Sequence, residues 1–285
     1  MKIKTRDISL SRFSLIRPYP HKKPRRPSRL LATLVRFLSK KETGKVHFAY
    51  EDSSSIPPSE PALILMNHSS FLDLEIAFTI FRKRRLNIVA TDDGFIGKEG
   101  LMRSLGAIPT KKFVFDLDIV SDIRYCLRSL HTSVLLYPEA TYSFDGRSAL
   151  LPESIGKLIK YLGVPVISVI TSGSFLRDPL YNGLQLREVD VRAEVKTLFG
   201  SEETQSLSAE KINERVRETF SFDAFDEQRR RGIRIDEPFR CDKLNRVLYR
   251  SPPLSGGRRH GRQGDDLVLP WLRAALRIGR IRIAA

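Results

Sequence analysis

Ala62-Leu63-Ile64-Leu65-Met66-Asn67-His68-Ser69-Ser70-Phe71-Leu72-Asp73 joins an unbroken apolar run to a polar corner that ends in a carboxylate. The run predicts a short buried strand. The residues from Ser69 onward, apolar at Phe71, Leu72, Leu74, Ile76, Ala77, Phe78 and Ile80, predict a helix. Within one helix a spacing of five would turn His68 and Asp73 roughly 140° apart, so contact requires His68 outside the helix and Asp73 in its first turn. A carboxylate on one imidazole nitrogen fixes the tautomer and frees the other nitrogen to take a proton from an alcohol, with no nucleophilic side chain required. The competing reading makes Ser70-x-x-Asp73 a capping-box variant and His68 an ordinary loop residue.

Three further stretches place polar groups at apolar strand ends. Gly106-Ala107-Ile108-Pro109-Thr110 runs into Lys111 and Lys112. Val134-Leu135-Leu136-Tyr137 delivers Pro138, Glu139, Ala140, Thr141, Tyr142 and Ser143 into a loop. Val164 to Ile170 is a third strand with Pro165 at its start. Taken singly, Glu139 could cap the next turn, and paired lysines at a strand end commonly form a solvated face.

Over residues 45 to 200 these blocks, in this order, resemble the lysophospholipid (1-acylglycerol-3-phosphate) acyltransferase family. Its first block, Asn-His-x4-Asp, is matched by Asn67, His68 and Asp73. The resemblance implies His68 as general base, Asp73 as its partner, and Asn67, Lys111, Lys112, Glu139, Thr141 and Ser143 as substrate-binding residues. The third block reads Phe-Pro-Glu-Gly-Thr-Arg-Ser in the family; here glycine is replaced by Ala140 and arginine by Tyr142. The second block's arginine, which the family is thought to place on the acceptor's phosphate, has Lys111 and Lys112 as its nearest equivalents, and lysine supplies charge without a bidentate fork. The fourth block is matched by Val164, Pro165 and Val166.

The chain of 285 residues, 41% apolar, is long enough for one large α/β domain with extensions. Two cysteines, Cys126 and Cys241, argue against a disulfide scaffold and offer no zinc site, so no metal is expected. Charge divides the chain: residues 1–45 carry net +12, residues 251–285 net +5, and the 205 residues between them net −1. The expected organisation is a basic amphipathic segment at 1–44, an acyltransferase domain at 45–250 and a basic tail at 251–285.

In the first segment Leu30, Leu31, Leu34, Val35, Phe37 and Leu38 follow helical spacing among Arg29, Arg36, Lys40 and Lys41. Such a helix suits an anionic membrane surface, each basic residue adding about 1 kcal/mol; packing on the domain itself is the alternative. No apolar run reaches the ~20 residues that span a bilayer, and the opening residues lack the apolar core of a secretory signal. The expectation is a peripheral protein on the cytoplasmic face of the cell membrane, although the Arg- and Ser-rich, acid-poor start also fits a mitochondrial leader.

Strands at 87–91 and 134–137, helices at 116–130 and 152–162, a half-buried strand at 189–198 and one long helix from Ser208 to Arg231 ended by Gly232 predict a mixed, largely parallel sheet flanked by helices. A second interfacial helix is expected over 267–283, on the stripe of Arg273, Arg277 and Arg280.

The expected reaction moves a fatty acyl chain from acyl-CoA or acyl carrier protein, as substrate and without a cofactor, to a hydroxyl of a lysophospholipid-like acceptor. A thioester hydrolase, a membrane-binding pseudoenzyme and a basic nucleic-acid-binding protein are the competing classes. Against nucleic acid stands the amphipathic setting of the terminal cations around a neutral middle.

Overall fold

The computed structural model describes residues 21–111 and 117–247, with backbone alone at 261–263, 266–268 and 275–277. Helix α1 (Arg29–Gly44) and strand β1 (Ala49–Asp52) come first. Next are β2 (Leu63–Met66), α2 (Asp73–Ile80), β3 (Leu86–Thr91), α3 (Glu99–Ser104), β4 (Ala107–Thr110), α4 (Leu117–Arg128) and β5 (Ser133–Leu136). Then follow α5 (Ser154–Leu162), β6 (Val166–Ser172), α6 (Ser174–Arg177), β7 (Arg192–Phe199), α7 (Ser201–Ser206), α8 (Ala209–Thr219) and α9 (Ala224–Arg231).

Seven strands form one sheet in the order β1-β7-β6-β2-β5-β3-β4. Neighbours from β6 to β4 are parallel, β6 and β7 are antiparallel, and β1 is parallel to β7. The expected mixed, largely parallel sheet is therefore present. Its parallel strands end together, so the segments leaving β2, β3, β4, β5 and β6 share one carboxyl edge.

The apolar run of β2 is buried on both faces because the sheet has a helical layer on each side. Ile64 and Met66 point into a core with Leu72, Ile76, Ala77 and Phe81 of the α2 region, while Leu63 and Leu65 join Ile123 and Leu127 of α4, Ile155 and Ile159 of α5, and Ile212 and Val216 of α8.

Helix α1 covers the base of α2, with Thr43 Oγ1 3.3 Å from Thr79 Oγ1. The chain before it, from His21 to Ser28, is strapped across the domain: His21 Nε2 lies 3.0 and 3.1 Å from the two Asp122 oxygens, Asn87 donates to the Arg25 carbonyl, and Ser28 N–H donates to the Ser104 carbonyl.

Several expectations are corrected. The helix after the corner begins at Asp73 rather than Ser69, and Phe71 and Leu74, expected on its buried face, are exposed. The single helix expected over 208–231 is two helices. Ser148 bonds the backbone of Phe220 and Phe222, and Asp223 then caps α9 by accepting the Phe225 and Asp226 N–H groups. Gly232 ends α9 in the left-handed region, as expected. In the tail, strands β8 (Gly261–Gln263), β9 (Asp266–Val268) and β10 (Ala275–Arg277) make an antiparallel sheet where a helix is expected over 267–283; the remainder of that expectation lies outside the described residues. Among the described residues no helix is long and apolar enough to cross a membrane.

Candidate active site

The carboxyl edge at the centre of the sheet brings together the segments that leave β2, β5 and β6. Asn67, the first residue beyond β2, is 2% exposed and fully used by protein. Its amide nitrogen donates to Ser69 Oγ and the Thr171 carbonyl, and its oxygen accepts from Thr171 N–H and Thr171 Oγ1. The Asn67 side chain ties the end of β2 to the end of β6, and these bonds satisfy its buried amide.

His68 lies outside the helix and Asp73 is the first residue of α2, the arrangement contact requires. His68 Nδ1 is 3.0 Å from Asp73 Oδ2, which also accepts the N–H groups of Ser69 at 2.8 Å and Ser70 at 3.0 Å. A carboxylate oxygen already accepting two amides is an acceptor toward the ring as well, so Nδ1 carries the hydrogen, which in a neutral ring leaves the lone pair on Nε2. Asp73 is buried, and burial raises its pKa, opposed by His68 and the two amides.

Glu139, the third residue beyond β5, reaches the same corner. Its Oε2 accepts the His68 backbone N–H at 2.8 Å and its Oε1 accepts the Ala149 N–H at 3.1 Å. Burial raises its pKa, with those two amides opposing. With each oxygen accepting one backbone amide, Glu139 ties the corner to the loop. Ser143 is held likewise: its hydroxyl donates to the Arg147 carbonyl and accepts from Gly146 N–H, closing a turn, while its own N–H donates to the His68 carbonyl. Ala140 sits at φ +56, the left-handed region where glycine is at ease, which accounts for glycine in the resembled block.

Thr141 is exposed on this loop. Lys111 is exposed just beyond β4 on the same edge, three strands from β2, which is about 14 Å by the usual inter-strand spacing. The structure thus places it at the edge but apart from the His68 corner. Lys112 lies outside the described residues.

Two groups of residues at the site escaped sequence reasoning. The first is aromatic: Tyr137 and Tyr142 both stack on the His68 ring, and Phe71 stacks on Tyr142. Burial pushes the Tyr142 hydroxyl up to about 12 and the Tyr137 hydroxyl well above its usual value. The second is a carboxyl layer behind Asp73. Asp178, buried after α6, lies 3.5 Å from the Arg177 guanidinium; burial lifts its pKa to about 6, opposed by the neighbouring Ser70 hydroxyl and Arg177. Glu75 is raised by burial too. Nothing in the local sequence around Asp178 marks it, since only the return of β6 beside β2 brings it to Ser70.

A family model described as Acyltransferase matches residues 47–172, from just before β1 to the end of β6. The chloroplastic 1-acyl-sn-glycerol-3-phosphate acyltransferase BAT2 of Brassica napus is 25% identical over an alignment of 178 residues that covers 56% of this chain and 49% of that protein. The match thus spans about half the length of that relative. The crystal structure of the 1-acyl-sn-glycerophosphate (LPA) acyltransferase PlsC from Thermotoga maritima aligns with a TM-score of 0.46 at 19% identity, covering 66% of this chain and 78% of that one.

Proposed function

We propose that this chain, whose residues 47–172 match an acyltransferase family model, moves a fatty acyl group from a thioester donor to a hydroxyl of a lysophospholipid-like acceptor. The observation that carries this reading is the His68–Asp73 contact at the carboxyl edge, with Nδ1 held and Nε2 left as the basic nitrogen. His68 Nε2 removes the acceptor's hydroxyl proton as the oxygen attacks the thioester carbonyl. The tetrahedral intermediate then expels the thiolate, which recovers the proton from the imidazolium, giving an ester and a free thiol with no acyl-enzyme. Asp73 favours the imidazolium that forms in between.

Acyl-CoA or acyl carrier protein is the proposed donor. Lys111 and Thr141, both exposed at this edge, are the residues of the expected binding set proposed to meet an acceptor headgroup. Membrane attachment is supported by α1, which turns Ala32, Ser39 and Thr43 inward and leaves Leu30, Leu34, Phe37 and Leu38 exposed beside its cations. A peripheral position on the cytoplasmic face of the cell membrane follows from this reading.

The test is incubation of the purified protein with acyl-CoA or acyl carrier protein thioesters and a panel of lysophospholipids in anionic vesicles, products being followed by mass spectrometry. A diacyl product that disappears in His68→Ala supports the proposal, and free fatty acid alone would replace it with thioester hydrolysis.

A further inference from the structure

The His68 ring lies 3.6 Å, centroid to centroid, from Tyr142 at an interplanar angle of 29°, and 4.0 Å from Tyr137 at 21°. Two near-parallel rings this close cannot share one face of an imidazole, so the tyrosines lie on opposite faces. Phe71 follows on the outer side of Tyr142 at 4.6 Å and 25°, giving a four-ring stack in the order Tyr137, His68, Tyr142, Phe71. Asp73 closes the Nδ1 edge of the imidazole. Faces and Nδ1 being covered, only the edge that carries Nε2 can meet a substrate.

Tyr137 enters this stack from the end of β5, which the sheet holds. Tyr142 enters from the loop beyond it, which is anchored by Glu139 to Ala149 and by Ser143 to Arg147. The resembled block has arginine at this place, and an arginine there would bring charge and five donors beside the base instead of a flat neutral ring.

We infer that Tyr142 is a positioning residue that clamps the His68 imidazole against Tyr137, so that an acceptor hydroxyl is met by Nε2 in the plane of the ring. The inference rests on the acyltransferase reading of His68. Aspartate alone leaves the imidazole free to swing about its hydrogen bond, whereas a ring held on both faces cannot. Because small misplacements of a catalytic group cost large factors in rate, the clamp bears on kcat rather than on substrate affinity.

The test combines turnover with the proton spectrum of His68, assigned by its loss in His68→Gln. In the wild type and in Tyr142→Phe the His68 carbon-bound protons sit upfield of those of the exposed His47, through the ring currents of the stack, and kcat agrees within about threefold. In Tyr142→Leu, which keeps apolar bulk without a ring, those protons move downfield and kcat falls by about 10- to 100-fold with KM for the thioester unchanged. Tyr142→Met replaces the leucine variant if that one does not fold. A leucine or methionine variant with wild-type kcat despite shifted His68 protons overturns the role, as does a phenylalanine variant impaired as badly as leucine. A wild-type protein without acyl transfer overturns the acyltransferase reading and this role together, and is distinguished from failure of the role alone by the wild type's own turnover.

Discussion

The carboxylate of Glu139 accepts the backbone N–H of His68 at 2.8 Å, across 71 residues of sequence, and so fastens the loop leaving β5 to the corner leaving β2. Its other oxygen accepts Ala149 N–H. Glu139→Ala leaves both donors without a partner, and we expect a loss of about 2–4 kcal/mol of stability, read as a shift in the urea midpoint. Glu139→Gln, with one acceptor oxygen, should fall between that variant and the wild type.

Asp73→Asn tests the orienting bond while keeping size and shape. An amide oxygen can replace Oδ2 toward Ser69 and Ser70, but no longer offers a charge to the imidazolium. We expect kcat/KM for acyl transfer to fall by about 100-fold or more, and to be lost in His68→Ala. A near-native rate in Asp73→Asn would remove Asp73 from the mechanism.

Ala140 at φ +56 carries a Cβ where its backbone disfavours one. Ala140→Gly removes that strain, offset by the greater freedom of glycine in the unfolded chain, so a net gain of about 0.5–1 kcal/mol is expected. A raised thermal midpoint with unchanged activity is the expected record.

Asp178 gives a pH signature. Burial lifts its carboxyl to about 6, against the Ser70 hydroxyl and Arg177, whereas the unfolded chain returns it to about 4. Between those values the folded protein binds more protons than the unfolded one, so stability falls as pH rises through that window and stays lower above it. Asp178→Asn should remove this component, its unfolding free energy from urea titration exceeding the wild type's at pH 7 by an amount on the order of 3 kcal/mol and converging with it near pH 4. Equal midpoints at all pH values would show that Asp178 is not a buried acid in solution.

Leu34 and Phe37 face outward from α1, 54% and 69% exposed. Leu34→Asp with Phe37→Asp should leave the thermal midpoint nearly unchanged and abolish sedimentation with anionic vesicles. Retained binding would assign membrane attachment to another surface.

The strands were legible because a sheet covered on both faces demands uninterrupted apolar runs, and 62–66 and 134–137 are such runs. Helix α5 was legible from its periodicity. The split of 208–231 was not, since the bonds from Ser148 that draw Phe220 and Phe222 out of helix come from a loop some 70 residues earlier. Within the site, the family pattern identified Asn67, Glu139 and Ser143 by type. Their hydrogen bonds show that these three hold the corner and loops in place.

Local sequence alone was enough to put a histidine just beyond a buried strand and a carboxylate within reach of it, because strand burial is written in neighbouring residues; the helix start at Asp73 was not so written, since Phe71 and Leu74 read as buried positions and are exposed. The Tyr142 stack on His68, the approach of Asp178 to Ser70 and the outward turn of the α1 leucines were decided only in the folded chain. Each depends on which strand ends and helices become neighbours, a consequence of sheet order and packing that no local pattern encodes.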